Sequence, residues 1–434
     1  MPPVQDHPLR ETLTNEVHAR PFAVLHTPER VSHLAMLTGE GGFAADRAHL
    51  VRLCKSFAVA EPPPDANHFF QDFGRFRLKW ERHTEFCTWT VFVHGADGAP
   101  FSTPAIGAVP RNWLESLPGE RLVAIHAELQ PASGPEPATL DELGRFFAPD
   151  YVAGSLVTGG AAEAWTDFRI HEDGYGRILI RDHALGARQA GRLVQRLLEI
   201  ETYRMMALLA LPTARAVGPA ISAVDAELVQ ITEAMRDLRD LGDERRLLEK
   251  LIDLAAEIER VTAQSSYRFG AARAYYALVV RRIEELRERR IEGAQTIQEF
   301  MDRRLAPAMR TCIATAERLD AVAARLARAS GLLRSRVDIA LEAQNQALLA
   351  SMDRRARLQL RIQATVEGLS VAAISYYVVG LVAYMLKAAE KAGLPISQEI
   401  GVGLAIPVAV LAVWLLVRRA RRHFTEPGAA RHDL

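Results

Sequence analysis

Two apolar stretches near the C-terminus dominate the pattern of hydrophobic and polar positions along this chain. Residues 369–386 and 400–417 each comprise 18 residues without Asp, Glu, Lys or Arg. A helix rises about 1.5 Å per residue, so each stretch, with its flanks, is long enough to cross a hydrocarbon core of about 30 Å. Only 13 residues join the two stretches. The pattern therefore predicts a two-span transmembrane hairpin behind a large soluble portion.

The placement of basic residues predicts the orientation of this hairpin. Arginines flank both outer ends: Arg354, Arg355, Arg357, Arg361, Arg418, Arg419, Arg421 and Arg422. The connecting loop carries two lysines, which are balanced by Glu390 and Glu399. Because basic flanks stay inside, both termini are expected in the cytoplasm and the protein in the bacterial inner (plasma) membrane as a multi-pass protein. The N-terminal segment lacks a signal-peptide-like apolar core, so the soluble portion is expected not to be exported.

The first half of the chain mixes strand-like and helix-like segments. The predicted strands cover residues 73–80, 85–94, 122–129, 166–170 and 177–180, which are rich in aromatic and β-branched side chains. The segment EDGYG between the last two strands indicates a hairpin. Helices are predicted at residues 47–57 and 140–147. The fold class expected for this half is a cytoplasmic α+β domain.

The second half is rich in Ala, Leu, Arg and Glu, which is typical of long helices. The predicted helices cover residues 190–211, 222–264, 267–305 and 308–386, with breaks at Pro212, Pro219 and Pro307. A coiled-coil-like seam in the last helix comprises Leu319, Val322, Leu326, Leu333, Val337, Leu341, Leu348 and Met352. As one helix, its 79 residues would span about 120 Å and lead directly into the first apolar stretch. The alternative is an antiparallel bundle broken near Gly331.

These patterns divide the chain into five predicted parts. They are a cytoplasmic α/β domain (1–184), a helical layer (185–306), a long stalk helix (307–368), the transmembrane hairpin (369–417) and a basic cytoplasmic tail (418–434).

Charge and cysteine content narrow the classes of partner. The 53 basic and 53 acidic residues give a formal net charge of zero, so no global field attracts nucleic acid. Cys54, Cys87 and Cys312 are widely separated, which suits a reducing compartment and predicts neither a disulfide framework nor a zinc site. The expected partners are the lipid bilayer and further copies of the chain in a homo-oligomer.

The two apolar stretches differ in polar content. Ser370, Tyr377 and Tyr384 recur every seven residues on one face of the first stretch, and Lys387 follows near the outer mouth. Hydroxyl groups in hydrocarbon need partners or water, so this face is expected to point toward protein or to line a pore. Hydrogen bonding between packed helices is the alternative. The second stretch has few polar atoms and is expected to face lipid.

Candidate chemistry in the soluble portion is sparse. Glu81, His83 and Glu85 of WERHTEF are predicted to share one strand face, where they form a weak candidate for a metal or proton site. His18 of NEVHARP has the same spacing to its neighbours. A salt-bridged or solvated face is the alternative. Since no nucleotide-binding, metalloprotease, serine-hydrolase or kinase motif occurs, we expect no enzyme; no cofactor is predicted, other than a divalent cation at these residues.

Four phrases carry a resemblance to a known family. They are LTNEVHARPF (13–22), TPERVSHLA (27–35), LKWERHTEF (78–86) and LLEIETYRMMALLALP (197–212). Together with the terminal apolar stretches they resemble a bacterial family of uncharacterised membrane-anchored proteins that contain a domain of unknown function. The resemblance covers almost the whole chain and implies an architecture rather than an activity.

A looser likeness is topological. A cytoplasmic α/β domain, a long stalk helix, two spans and a basic tail are similar to the CorA-type divalent cation transporters, whose first span lines the pore of a homopentamer. Their Gly-Met-Asn signature is absent, and the first span here ends in AYMLKAAEKAGLP. The function predicted is therefore an oligomeric ion channel or transporter on this plan. A membrane-anchored structural or interaction protein without transport activity is the alternative.

Overall fold

The computed structural model describes residues 6–11, 13–14, 21–39, 41–238, 241–392 and 398–424. The chain forms two compact units. The first comprises Met1–Leu238 and Arg246–Gly331, and the second comprises Arg239–Arg245 and Leu332–Leu434.

The first unit is built on one mixed sheet. Its strands are β1 (Glu29–Leu37), β2 (His68–Asp72), β3 (Arg77–Arg82), β4 (Phe86–His94), β5 (Glu120–Pro131), β6 (Ala153–Val157), β7 (Ala162–Thr166), β8 (Gly176–Asp182) and β9 (Arg289–Arg290). They lie in the order β2-β3-β4-β1-β5-β8-β7-β6-β9. Neighbours are antiparallel except β5 and β8, which run parallel. This sheet and its helices confirm the predicted α+β class for the N-terminal part.

Long helices follow the sheet. The helices are α1 (Phe43–Ser56), α2 (Arg111–Glu115), α3 (Leu140–Leu143), α4 (Ala187–Leu208), α5 (Ala210–Ala234), α6 (Leu241–Leu286), α7 (Ile297–Lys391) and α8 (Gln398–Phe424). The prediction that Pro307 ends a helix is wrong, because α7 continues through it. The loss of one backbone hydrogen bond is offset there by burial of Leu305 and Met309 on either side.

The break in this region lies earlier than predicted, between α6 and α7. Arg289 and Arg290 leave the helical path and pair with Leu156 and Ser155 of β6. The carboxylate of Glu288 then accepts the backbone N–H groups of Ile297 and Gln298, each at 2.9 Å. Since the first N–H groups of a helix lack internal partners, this carboxylate fixes where α7 begins.

Both faces of the sheet are covered, so its central strands are buried on both sides. Alternation along β1 sends Val31 and Ala35 to one core and Leu34 and Met36 to the other. The first core includes α4 and parts of α6 and α7. The second core contains α1 and a cluster of tryptophans: Trp80, Trp89 and Trp113. Burial on both faces explains why β1 lacks the simple alternating signal of a half-exposed strand.

The predicted apolar seam of α7 changes character along the helix. Its positions from Leu319 to Val337 are buried, Leu341 is half-buried, and Leu348 and Met352 are exposed. In the first unit, Arg318 and Arg325 pair with Asp225 of α5 beside the buried part of the seam. Supercoiling of this seam with a partner helix stays a prediction.

Candidate functional site

A cavity of about 270 Å³ lies within the first unit, between the sheet and α4. Its sheet wall consists of polar side chains: His33 of β1, Lys79 and Glu81 of β3, and Thr88 and Thr90 of β4. Cross-strand pairing brings them together, because Glu81 lies opposite Thr88 and Thr90 lies between Lys79 and His33. Alternation places Trp80 and Trp89 on the other face of the same strands. The sheet therefore has a polar patch on a face that packs against a helix.

Charged groups in the cavity are arranged as two ion pairs joined by an amide. Lys79 Nζ lies 2.9 Å from Glu81 Oε1 and 3.4 Å from Gln195 Oε1. Gln195 Nε2 donates to Glu199 Oε1 at 2.8 Å, and the guanidinium of Arg282 donates to the other oxygen of Glu199. Two cations thus face two anions, so the charges of these four groups cancel.

His33 is held as a neutral imidazole at the floor of the cavity. Thr202 donates its hydroxyl hydrogen to Leu198 O at 2.9 Å, so its oxygen accepts from His33 Nε2–H at 3.1 Å. The other ring nitrogen, Nδ1, accepts from the Thr90 hydroxyl at 2.8 Å. Burial, with smaller electrostatic contributions from Lys79 and His83, lowers the pKa of His33 to about 3.

Hydrogen-bonding capacity remains unused on the sheet wall. Thr88 is 3% exposed, and its hydroxyl has no partner among the residues that the structure describes. Lys79 is 5% exposed, and within the described part of the chain its three ammonium hydrogens meet two acceptors, the more distant at 3.4 Å. A buried polar group without a partner costs about 1–3 kcal/mol. The ammonium of Lys79 is therefore the donor on this wall that a bound molecule or water can satisfy.

The residues predicted as a metal or proton site do not share one strand face. Strand β3 ends at Arg82, so His83 and Glu85 lie in the turn that leads to β4. Glu81 and His83 line the cavity, and the His83 ring stacks on Phe86 with centroids 4.2 Å apart. The carboxylate of Glu85 is instead bound by both terminal nitrogens of Arg268, at 3.2 and 2.6 Å.

A metal ion at these residues stays a prediction. Among the described residues, no three His, Cys, Asp or Glu side chains form a group that could hold a metal ion. His18 lies outside the described residues.

Three of the four resemblance phrases meet at the cavity. LKWERHTEF supplies Lys79, Glu81 and His83, TPERVSHLA supplies His33, and LLEIETYRMMALLALP supplies Leu198, Glu199 and Thr202. The fourth phrase ends at Phe22, and the next residue, Ala23, also lines the cavity. The sequence analysis did not identify Lys79 and Thr88 as residues of a site. Their alternation with buried aromatic residues along the strands is a pattern that could have indicated a polar face on this sheet.

The apolar C-terminal helices form a second feature of functional interest, in the second unit. Three helical segments are long and apolar enough to cross a membrane: Ala187–Ala234, Ile297–Lys391 and Glu399–Arg419. The first includes α4, whose Leu193 and Leu197 are buried in the sheet core. The apolar parts of the other two are almost entirely exposed.

One face of the first apolar stretch is turned away from its contact with α8. A Cβ placed on Gly401 would lie 2.8 Å from Leu386 Cδ1, so the two residues are in contact. At about 100° per residue, Ser375 lies within about 20° of Leu386 and about 180–200° from Tyr377 and Tyr384. Ser375 is buried, whereas Tyr377 and Tyr384 are 73% and 75% exposed.

The other two pore candidates are also exposed. Ser370 donates its hydroxyl to Val366 O at 2.8 Å, and Lys387 is exposed at the end of the stretch. The second stretch is not uniformly exposed, as a wholly lipid-facing helix would be: Ala409 and Val413 are buried. These two residues are spaced at i and i+4, so α8 has one covered face.

Comparison with known protein families agrees with the four phrases. The family described as "Protein of unknown function (DUF3422)" matches residues 5–424. The chain therefore belongs to this family, as the resemblance implied. The match carries no link to the CorA-type transporters, and that likeness stays a prediction. No curated protein and no solved structure matches the chain.

Proposed function

We propose that this chain is an integral membrane protein on a CorA-like plan. The α+β domain lies in the cytoplasm, α7 and α8 enter the bacterial inner membrane as a two-span hairpin, and several copies assemble around a path for ions. Tyr377 and Tyr384 of α7, here called the tyrosine stripe, face that path in each copy. In this proposal the protein is a channel or transporter and not an enzyme.

The exposure of the apolar stretches supports the membrane part of this proposal. Large side chains such as Leu381, Leu404 and Leu416 are exposed along α7 and α8. Exposed apolar area costs roughly 25 cal/mol per Å² in water, and a bilayer removes that cost. A contiguous apolar surface of this length fits lipid better than it fits water.

The tyrosine stripe is the observation that carries the transport part. Tyr377 and Tyr384 lie opposite the face that contains Ser375 and Leu386. The contact between α7 and α8 of one chain therefore leaves the two tyrosine hydroxyl groups exposed. In hydrocarbon such groups need a hydrogen-bond partner or water. Further copies of the chain around a water-filled path provide both.

Topology is tested by cysteine labelling in intact cells. A cysteine at Ala392 should react with a membrane-impermeant maleimide added outside, whereas a cysteine at Ser351 should react only after lysis. The native cysteines are buried and give little background. Reaction of the Ser351 variant in intact cells would reverse the proposed orientation.

Transport is tested by ion flux in proteoliposomes. Tyr384→Ala should change the flux of the conducted ion, while the matched control Leu416→Ala, on the exposed apolar surface of α8, should not. Lys387→Glu should raise cation flux, because it removes a positive charge near the outer mouth. Absence of flux of Mg²⁺, Zn²⁺, K⁺ and Cl⁻ in the wild type and in these variants would contradict transport.

The polar cavity favours a second candidate, a membrane-anchored binding protein. The cavity lies in the α+β domain and its walls belong to the first unit alone. Binding there without any ion flux would make the apolar helices an anchor and the tyrosine stripe a helix-packing face.

A further inference from the structure

We propose that the cavity between the sheet and α4 binds a small zwitterion, an α-amino acid, with its carboxylate at Lys79 and its ammonium at Glu81. This site goes beyond the proposed membrane function, and binding is measured without reference to ion flux. The argument rests on size, on charge and on the adjacency of a donor and an acceptor of opposite charge.

Size excludes large ligands. The cavity of about 270 Å³ lies just below the range of about 300–1,000 Å³ that is usual for drug-sized molecules. Apolar side chains also line it, among them Phe86, Val194 and Leu198. A ligand with a compact polar head and a short side chain fits both properties.

Charge excludes simple ions. Lys79 is paired with Glu81, and Arg282 is paired with Glu199. A phosphate would be repelled by two carboxylates that already have their counter-charges, and a metal ion would face an ammonium and a guanidinium. A zwitterion adds no net charge, so it disturbs neither ion pair.

The geometry of the sheet wall matches the head group of an α-amino acid. Lys79 Nζ and Glu81 Oε1 lie 2.9 Å apart, so a donor and an acceptor of opposite charge are adjacent, as are the carboxylate and ammonium of the ligand. The second acceptor of the Lys79 ammonium, Gln195 Oε1, lies at 3.4 Å. This ammonium can therefore turn a hydrogen toward the carboxylate of the ligand at little cost.

Calorimetry on the full-length protein in detergent tests this site. The probes are the twenty L-amino acids, their methyl esters and N-acetyl derivatives, inorganic phosphate and MgCl₂. At least one amino acid should bind. Its ester and its N-acetyl derivative should each bind about tenfold or more weakly, because each lacks one charged hydrogen-bonding group.

Variants connect the binding to the cavity. Glu81→Gln, which removes the negative charge at the ammonium position, should weaken binding about tenfold or more. The matched control is Glu29→Gln, which removes the charge of a buried, ion-paired strand carboxylate outside the cavity. Three results would overturn the proposal: no amino acid binds at millimolar concentration, the esters bind as well as the acids, or Glu81→Gln and Glu29→Gln have equal effects. A cavity filled only by water would give the first of these results.

Discussion

Replacing His33 by Gln should remove a defined part of the acid sensitivity of this protein. His33 accepts a hydrogen bond from Thr90 and donates one to Thr202, so the native state holds it neutral. A glutamine amide also provides one acceptor and one donor but does not titrate. The variant therefore isolates the effect of protonation from the effect of losing the hydrogen bonds.

The magnitude follows from the pKa of His33. Burial lowers it from 6.5 to about 3, so below pH 6.5 the unfolded state binds a proton that the native state does not bind. By linkage, this group decreases the free energy of unfolding as the pH falls. At pH 5 the loss amounts to about 2 kcal/mol relative to pH 8, since each pH unit below 6.5 contributes about 1.4 kcal/mol. The full effect of about 5 kcal/mol is reached only near pH 3.

Other buried groups contribute to the total pH dependence. The pKa values of His49 and His126 are each lowered to about 4, chiefly by burial, and their effect has the same sign as that of His33. Burial raises the pKa of Asp46 to about 6 and that of Glu128 to about 7. The native state then binds more protons at these carboxyl groups, which opposes the histidines as the pH falls. The informative quantity is therefore the difference between wild type and variant.

Urea unfolding followed by tryptophan fluorescence measures this difference. Four of the five tryptophans lie in the first unit, and Trp414 lies in the second. The free energy of unfolding of His33→Gln minus that of the wild type should rise by about 2 kcal/mol between pH 8 and pH 5. A difference that stays constant over this interval would show that His33 takes up a proton in the native cavity, and the assignment of a neutral imidazole would be wrong.

Two predictions concern packing. Gly154→Ala should destabilise the first unit by at least about 1–3 kcal/mol, because the new Cβ would lie 2.1 Å from Trp165 Cε3. The control is Gly107→Ala, since Gly107 has open space around it. Equal melting temperatures of the two variants would contradict this packing. Leu333→Ala should cost about 2–5 kcal/mol of unfolding free energy because Leu333 is buried, whereas the exposed Leu348→Ala should cost less than about 0.5 kcal/mol; similar losses in both would mean that the seam is covered along its whole length.

Local patterns in the sequence predicted part of the sheet. The strands expected at residues 85–94, 122–129 and 177–180 correspond to β4, β5 and β8. The strand expected at 73–80 overlaps only the start of β3, and the one expected at 166–170 overlaps only the last residue of β7, so these two predictions are largely wrong. Strand β1 was missed because both of its faces are buried and Ser32 and His33 interrupt its apolar run. A strand of this kind lacks the period of two on which sequence reasoning depends.

Helix ends were harder to predict, because tertiary contacts outweigh local preference. Pro219, Pro307 and Pro407 all lie inside helices, although proline alone disfavours a helix interior by about 3 kcal/mol. The true break after Leu286 depends on Glu288 and on pairing with β6, and the partner strand lies more than a hundred residues earlier in the chain. No window of sequence contains both parts of that interaction.

The cavity could not be predicted for the same reason, yet its polar wall is the strongest sign of function in the first unit. Lys79 and Glu81 occupy strand positions that face a helix, where apolar side chains usually contribute stability. Replacing a buried ion pair by apolar residues is often neutral or stabilising, so stability alone gives no reason to keep these two charges. The hydroxyl of Thr88, which has no partner among the residues described, adds a further cost on the same wall. Residues that lower stability are expected at functional sites, because function rather than folding retains them. Here the buried ion pair and the buried hydroxyl lie together on one wall of the cavity. Their concentration where three of the four family phrases meet makes ligand binding the explanation that accounts for all of them together.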